Sequence, residues 1–187
     1  MKGAFGEFKG DLLGKIVVVG AERMFVDKGV RLYSGVTLHT LESQNQNSKL
    51  PPPPKWKIII GENSIIQRDS QLSASQLISI GKNVVIADRT LIIDTTHGDF
   101  TPSHYTFLNG SEIPDVFLQN CQTRDYYSSG PVVIEDDVHI GMNCVIMPGV
   151  TIGHNSVISA STIVMKDVPP YSIVSSPPGK LVETFSI

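Results

Sequence analysis

Cysteine is scarce in this chain: Cys121 and Cys144 are the only two among 187 residues. Two cysteines cannot staple a small loop-rich fold, so a disulfide framework is excluded as the source of order. Basic runs are missing and the formal net charge is −3. That removes the electrostatic footprint of a sequence-independent nucleic-acid surface. No apolar run approaches the roughly 20 residues that a bilayer-spanning helix needs. The opening stretch MKGAFGEFKGDLLGK has no apolar core of signal-peptide length. The expectation is a cytoplasmic protein that addresses neither nucleic acid nor membrane. Charge is sparse as well, 18% against 41% hydrophobic, which suits a long interior stack better than a ball with a large charged surface.

The apolar residues also lack the usual periods. They recur every six positions, which fits neither the 3.6 of a helix nor the 2 of a strand. Ile134, Ile140, Ile146, Ile152, Ile158 and Val164 form one such series, with Val138, Cys144, Val150, Ser156, Thr162 and Val168 four residues after each. Ile60, Ile66 and Leu72 form a second, and after a two-residue slip Ile80, Ile86 and Ile92 a third. Their followers are Ser64, Ser70, Val84, Thr90 and Thr96, with Gln76 out of type. A weaker echo is read at Val19-Gly20 and Phe25. The tetrad Ile-Gly-x-Asn occurs at Ile60, Ile80, Ile140 and Ile152. Three six-residue steps make one turn of a triangular solenoid, so the expected fold is all-β, a parallel β-helix in which the aliphatics stack inward. The small residues sit at crowded corners, and Gly or Asn supplies the left-handed backbone there. Cys144 falls on an inward position and reads as a small buried hydrophobe.

The chain then divides into a single β-helix domain over 1–187. It comprises first irregular coils at 15–42, a polar and proline-rich loop at 43–55 (SQNQNSKLPPPPK), and central coils at 57–96. A long excursion at 97–130 holds three aromatics, Phe100, Tyr105 and Phe107. C-terminal coils follow at 131–169 and a tail at 170–187 that caps the last coil. A loop as long as 97–130 inside a compact domain is usually functional.

From Pro131 to Val182, with the dense motif PGVTIG…KDVPPYSIV, the sequence resembles the hexapeptide-repeat acetyltransferases of the maltose/galactoside O-acetyltransferase type, polysaccharide O-acetyltransferases included. IGKNVVIADRTLIIDTTH upstream is similar to that family's coil ending in its active-site histidine. The resemblance implies a left hand for the solenoid. It implies homotrimers with sites between subunits, acetyl-CoA as donor along the groove, a sugar or polysaccharide hydroxyl as acceptor, and no metal. His97 sits where the catalytic histidine is expected. His139, Met142, Ser159, Ala160, Ser161, Met165, Lys166 and Lys180 are the candidates for contact with CoA. Asp69, Asp94, Asp99 and Tyr127 are the candidates near the acceptor. The chain departs from the family where tryptophan is replaced by His139, Gly-Ala-Gly by Ser159-Ala160-Ser161, and Gly-Asn-Pro-Ala by Ser176-Pro177-Pro178-Gly179. Glu183 stands where a second basic residue often occurs.

Acetyl transfer to an alcohol needs a base for the hydroxyl proton, stabilisation of the thioester oxygen, and close placement of both reactants. An imidazole titrates near neutrality and suits the first task. Asp94 or Asp99 could orient its other ring nitrogen, and a backbone N–H near Gly141 is a guess for the oxyanion. No nucleophile motif accompanies His97, so direct attack in a ternary complex is the expected mechanism. Lys166 and Lys180 suit CoA phosphates as point charges. Other readings on the same scaffold remain open: N-acetylation of an amino sugar or a drug, a non-catalytic binding or assembly module, or a three-histidine zinc site. In the γ-class carbonic anhydrases built on this scaffold the zinc histidines include two five apart, a spacing this sequence lacks.

Overall fold

The computed structural model describes residues 6–41, 50–97, 126–175 and 180–184; His97, Tyr126 and 180–184 are described by their backbone. Among these residues the strands are short and pair in parallel, coil upon coil, into three faces of a prism. The first face carries Met24–Val26, Ile58–Ile60, Ile78–Ile80, Val132–Ile134 and Thr151–Ile152. The second carries Arg31–Tyr33, Ile65–Ile66, Val85–Ile86, His139–Ile140 and Val157–Ile158. The third carries Val17–Val19, Thr37–Thr40, Gln71–Ala74, Leu91–Ile93, Val145–Ile146 and Ile163–Val164.

The register stacks like on like. Val26, Ile60, Ile80, Ile134 and Ile152 fall in line on the first face. Leu32, Ile66, Ile86, Ile140 and Ile158 do so on the second, and Leu38, Leu72, Ile92, Ile146 and Val164 on the third. All fifteen are buried. Each such side chain contributes about 1.5–3 kcal/mol by leaving water, which is the main force holding the columns together.

Between columns lie the small residues, and several are polar. They are tolerated because the next coil supplies a partner. Ser64 Oγ donates to Gly81 O and accepts from Val84 N–H at 2.8 and 3.0 Å. Ser70 Oγ does the same with Ala87 O and Thr90 N–H at 3.0 and 3.2 Å. At the first-to-second and second-to-third corners the third residue past the inward aliphatic takes positive φ, as at Asn63, Asp69, Asn83, Arg89, Asp137, Asn143, Asn155 and Ser161, and at the third-to-first corner Gly149 does so. Asn, Asp and Gly bear this conformation most cheaply.

Three features differ from the sequence reading. Coils begin earlier and more regularly than expected, from Glu7–Phe8 onward, and the N-terminal register runs through Val26, Leu32 and Leu38. Val19 is 48% exposed and Phe25 only half buried, so the echo read at those positions is displaced by one residue. A one-residue slip sends the set to the opposite side of the strand. Second, Thr96 is not inward; the chain leaves the coil before it, and Asp94 and Thr95 are the buried residues of that corner. Third, the tail adds a further strand to the second face, Ser172–Ser175, and Lys180–Thr184 pairs antiparallel on its far side. On either side of the 43–55 segment, Lys57 Nζ donates to Leu41 O.

Candidate functional site

His97 lies at the corner between the third and first faces. Leu91–Ile93 ends on the third face, the chain turns at Asp94, and Thr96–His97 pairs antiparallel with Tyr126–Tyr127, the returning arm of the excursion. Thr95 Oγ1 and Thr96 Oγ1 both donate to Tyr127 O, at 3.0 and 3.4 Å. The histidine's backbone is thus fastened to a rigid coil on one side and to the loop's exit on the other, an arrangement that limits its movement.

Beside this corner, on the outer surface of the third face, is an open pocket of about 310 Å³ lined by His39, Leu41, Gln71, Ser73, Leu91, Ile93, Thr95 and Thr96. Strand register makes it: His39 lies across from Ser73, and Ser73 across from Ile93. One wall is aliphatic and the other carries hydroxyl, amide and imidazole groups. The sequence reading missed His39, Gln71, Ser73, Leu91 and Ile93. Gln71, Ser73, Leu91 and Ile93 could have been found by the same six-residue count, since each neighbours an inward aliphatic and so faces out. His39 required the N-terminal register.

Asp94 is expected near acceptor or imidazole, and the structure gives it a different task. It has no exposure. Its Oδ1 accepts from Ser75 N–H, and its Oδ2 from Gln76 and Leu77 N–H, each at 2.7 Å. Burial pushes its carboxyl above the ordinary carboxylate range, against the pull of the three amides. Those bonds are inside the solenoid, so direct contact with an acceptor does not fit.

Most of the remaining candidates line the two corners that bound the third face. Asp69, Met142, Ala160 and Ser161 are exposed, and Ser159 half buried, at the second-to-third corner. Asp69 and Ser161 hold positive φ, and the Asp69 carboxylate lies over Gly35, where a Cβ would come within 1.9 Å of Oδ1. Met165 and Lys166 are exposed at the far end of the third face, and Tyr127 is half buried beside His97. Coils are spaced about 4.8 Å apart, so Asp69 lies three coils from Ser161 and they do not form one cluster. His139 is exposed on the second face, in line with Val85 and Val157, away from the pocket. Asp99 lies outside the described residues, as does the side chain of Lys180. The N–H of Gly141 bonds to Ile158 O at 2.8 Å, so it is not available as an oxyanion donor. Cys144 is buried, its Sγ 3.1 Å from Ser159 O, and burial pushes the thiol up, which disfavours a nucleophilic thiolate. Among the described residues no group of three or more His, Cys, Asp or Glu side chains could hold a metal, and no helix is long and apolar enough to cross a membrane.

Residues 131–166 match the family model described as bacterial transferase hexapeptide (six repeats). Over that span the chain carries the hexapeptide repeat. The hexapeptide-repeat chain is 31% identical over 141 residues to the galactoside O-acetyltransferase of Escherichia coli, a match covering 73% of this chain and 61% of that one. It spans less than two thirds of the length of the curated relatives it matches. Two solved structures share its fold, the left-handed parallel β-helix. One is AntD, an N-acyltransferase from Bacillus cereus in complex with dTDP and 3-hydroxybutyryl-CoA. Its TM-score is 0.72 at 20% identity, with 99% of this chain and 86% of that one covered. The other is the hexapeptide-repeat acetyltransferase VCA0836 from Vibrio cholerae, complexed with acetyl coenzyme A. Its TM-score is 0.57 at 24% identity, with coverages of 100% and 74%.

Proposed function

We propose that this hexapeptide-repeat protein is an acetyltransferase that moves the acetyl group of acetyl-CoA onto a sugar hydroxyl, with His97 as general base. The observation that carries the reading is the pocket on the third face, because two of its lining residues, Thr95 and Thr96, lead directly into His97. The named activities of the relatives above support the reaction class.

In this mechanism the acceptor hydroxyl loses its proton to the imidazole as its oxygen attacks the thioester carbonyl. The tetrahedral oxyanion collapses, the C–S bond breaks, and the imidazolium returns the proton to the CoA thiolate. No acyl-enzyme forms. Met142, Ser159, Ala160, Ser161, Met165 and Lys166 would flank the donor along the third face, with Lys180 toward its phosphates. Asp69, Tyr127 and Asp99 remain the acceptor-side candidates.

The outer third face also carries exposed apolar side chains. Val17 is 55%, Val19 48%, Ile163 48% and Met165 62% exposed. These lie at the two opposite ends of the third-face sheet, with half-buried Leu91, Ile93 and Val145 on the strands between, and the proposed cover of that apolar face is a second and third copy of the chain, a homotrimer. A cytoplasmic setting and a role in polysaccharide biosynthesis complete the proposal.

N-acetylation of a nucleotide-linked amino sugar is the second reading, favoured by the dTDP complex of AntD. Against it, no described residue lining the pocket is a Lys or Arg that would pair with a diphosphate. Thiol release from acetyl-CoA with a panel of neutral glycosides and nucleotide-linked amino sugars separates the two. Turnover with glycosides is expected; turnover confined to the amino sugars would overturn O-transfer.

A further inference from the structure

Between Leu72 and Ile80 the chain carries two residues more than a regular coil step. The excess is taken up at the third-to-first corner, at Ser75, Gln76 and Leu77. A corner bulged in this way turns amides inward that need acceptors. Asp94, one coil further on, accepts all three through its two oxygens. From the same corner Gln76 Nε2 donates outward to Pro51 O at 2.8 Å, fixing the proline segment. Three residues past Asp94 comes His97, by way of Thr95 and Thr96, whose hydroxyls bond Tyr127 O.

We infer that Asp94 is a positioning residue: by gathering the amides of the bulged corner it fixes the point at which the chain leaves the solenoid, and so aims the backbone that delivers His97 to the pocket. The inference rests on the reading of His97 as base. A carboxylate is required because it offers two acceptor oxygens and no donor. An asparagine of the same shape would place an NH₂ against at least one of the three N–H groups. The inward columns do not run through Asp94, and coils contact mainly their neighbours. The solenoid should therefore survive Asp94→Asn while the corner relaxes.

The test uses the full chain and its Asp94→Asn and His97→Ala variants, followed by thiol release from acetyl-CoA and by NMR of the histidine rings. The ring signal lost in His97→Ala identifies His97. In Asp94→Asn, kcat is expected to fall about 10- to 100-fold, the scale of a misplaced reactant group. KM for acetyl-CoA should stay within about twofold, and the His97 signal should broaden or split. Unchanged kcat with an unmoved His97 signal, at a temperature well below melting, would show that Asp94 only supports the fold and would overturn the inference. Should His97→Ala keep full turnover, the base reading fails by itself, and the His97 ring signal alone then decides for or against Asp94. Should Asp94→Asn not fold, removing Ser75 and Gln76 in the same variant restores a regular step. That chain is expected to fold with low kcat and a shifted His97 signal, and wild-type turnover from it would overturn the inference.

Discussion

At the scale of single residues, the corners are where this chain departs from the cheapest choice. Ser161 holds φ at +60° on an exposed corner. Glycine would bear that conformation without a Cβ conflict. Ser161→Gly is therefore expected to stabilise by about 1 kcal/mol, raising Tm by about 2–4 °C for a chain of this size; calorimetry reads it directly. The inward hydroxyls give a paired contrast. Ser70 serves two backbone groups of the next coil, so Ser70→Ala should cost about 1–3 kcal/mol. The buried hydroxyl of Thr162 has no partner among the described residues, so Thr162→Val, of equal shape, should be neutral or stabilising in the same denaturation series. Glu135 concerns pH. Its carboxylate accepts from the His154 backbone N–H and pairs with the ring, at 2.8 and 2.9 Å, and these bonds hold it below the ordinary carboxylate range. A depressed carboxylate lends stability above its unfolded pKa and loses it as pH falls through the folded one. Glu135→Gln should accordingly lower Tm slightly near neutrality, with the difference from wild type vanishing in acid. Both side chains are over 40% exposed, so the effect stays under about 1 kcal/mol.

At the scale of elements, the sequence was readable where the six-residue period runs unbroken. From Ile134 to Val164 several inward aliphatics have apolar neighbours, Val133, Val145 and Ile163 among them, yet six successive steps with a small residue four after each identify the face without help. Val17-Val18-Val19 and Met24-Phe25-Val26 offer apolar residues on both sides, so hydrophobicity alone could not choose the register. The choice is made by tertiary stacking, Val26 on Ile60 and Leu38 on Leu72, partners 34 positions apart in sequence. The candidate site divides the same way. The place of His97 was legible because it closes a strand whose period is clear. His39 was not, since its neighbour Ser73 lies beyond the 43–55 segment in the sequence. Asp94 was singled out by proximity to His97, but its burial follows from a bulged corner that the two-residue slip only hinted at. The corners themselves are tightly coupled elements: a Cβ on Gly141 would lie 2.5 Å from Ala160 N in the next coil. Gly141→Ala should thus displace the 159–161 corner, raising KM for acetyl-CoA and lowering Tm together. A change in Tm with KM untouched would remove that corner from the donor groove.

At the scale of the whole molecule, stability is carried by three unbroken columns, and function by what is mounted outside them. Val150 is 1% exposed on an inward corner, so Val150→Lys buries a charge with no partner and should prevent folding of the C-terminal coils; an unaltered melting curve would contradict the inward assignment. The outer third face carries the exposed apolar side chains, the pocket and the His97 corner on one side of the prism, which is why assembly and chemistry are proposed together. Sedimentation equilibrium is expected to give three times the chain mass, with Ile163→Asp shifting it toward the monomer. The measurement that bears most directly on the whole account is turnover of acetyl-CoA with a neutral glycoside acceptor, wild type beside His97→Ala. Loss of a positioned acid–base group should lower kcat by about 10²–10⁴-fold while leaving the melting temperature in place. Equal turnover by the two proteins would contradict it.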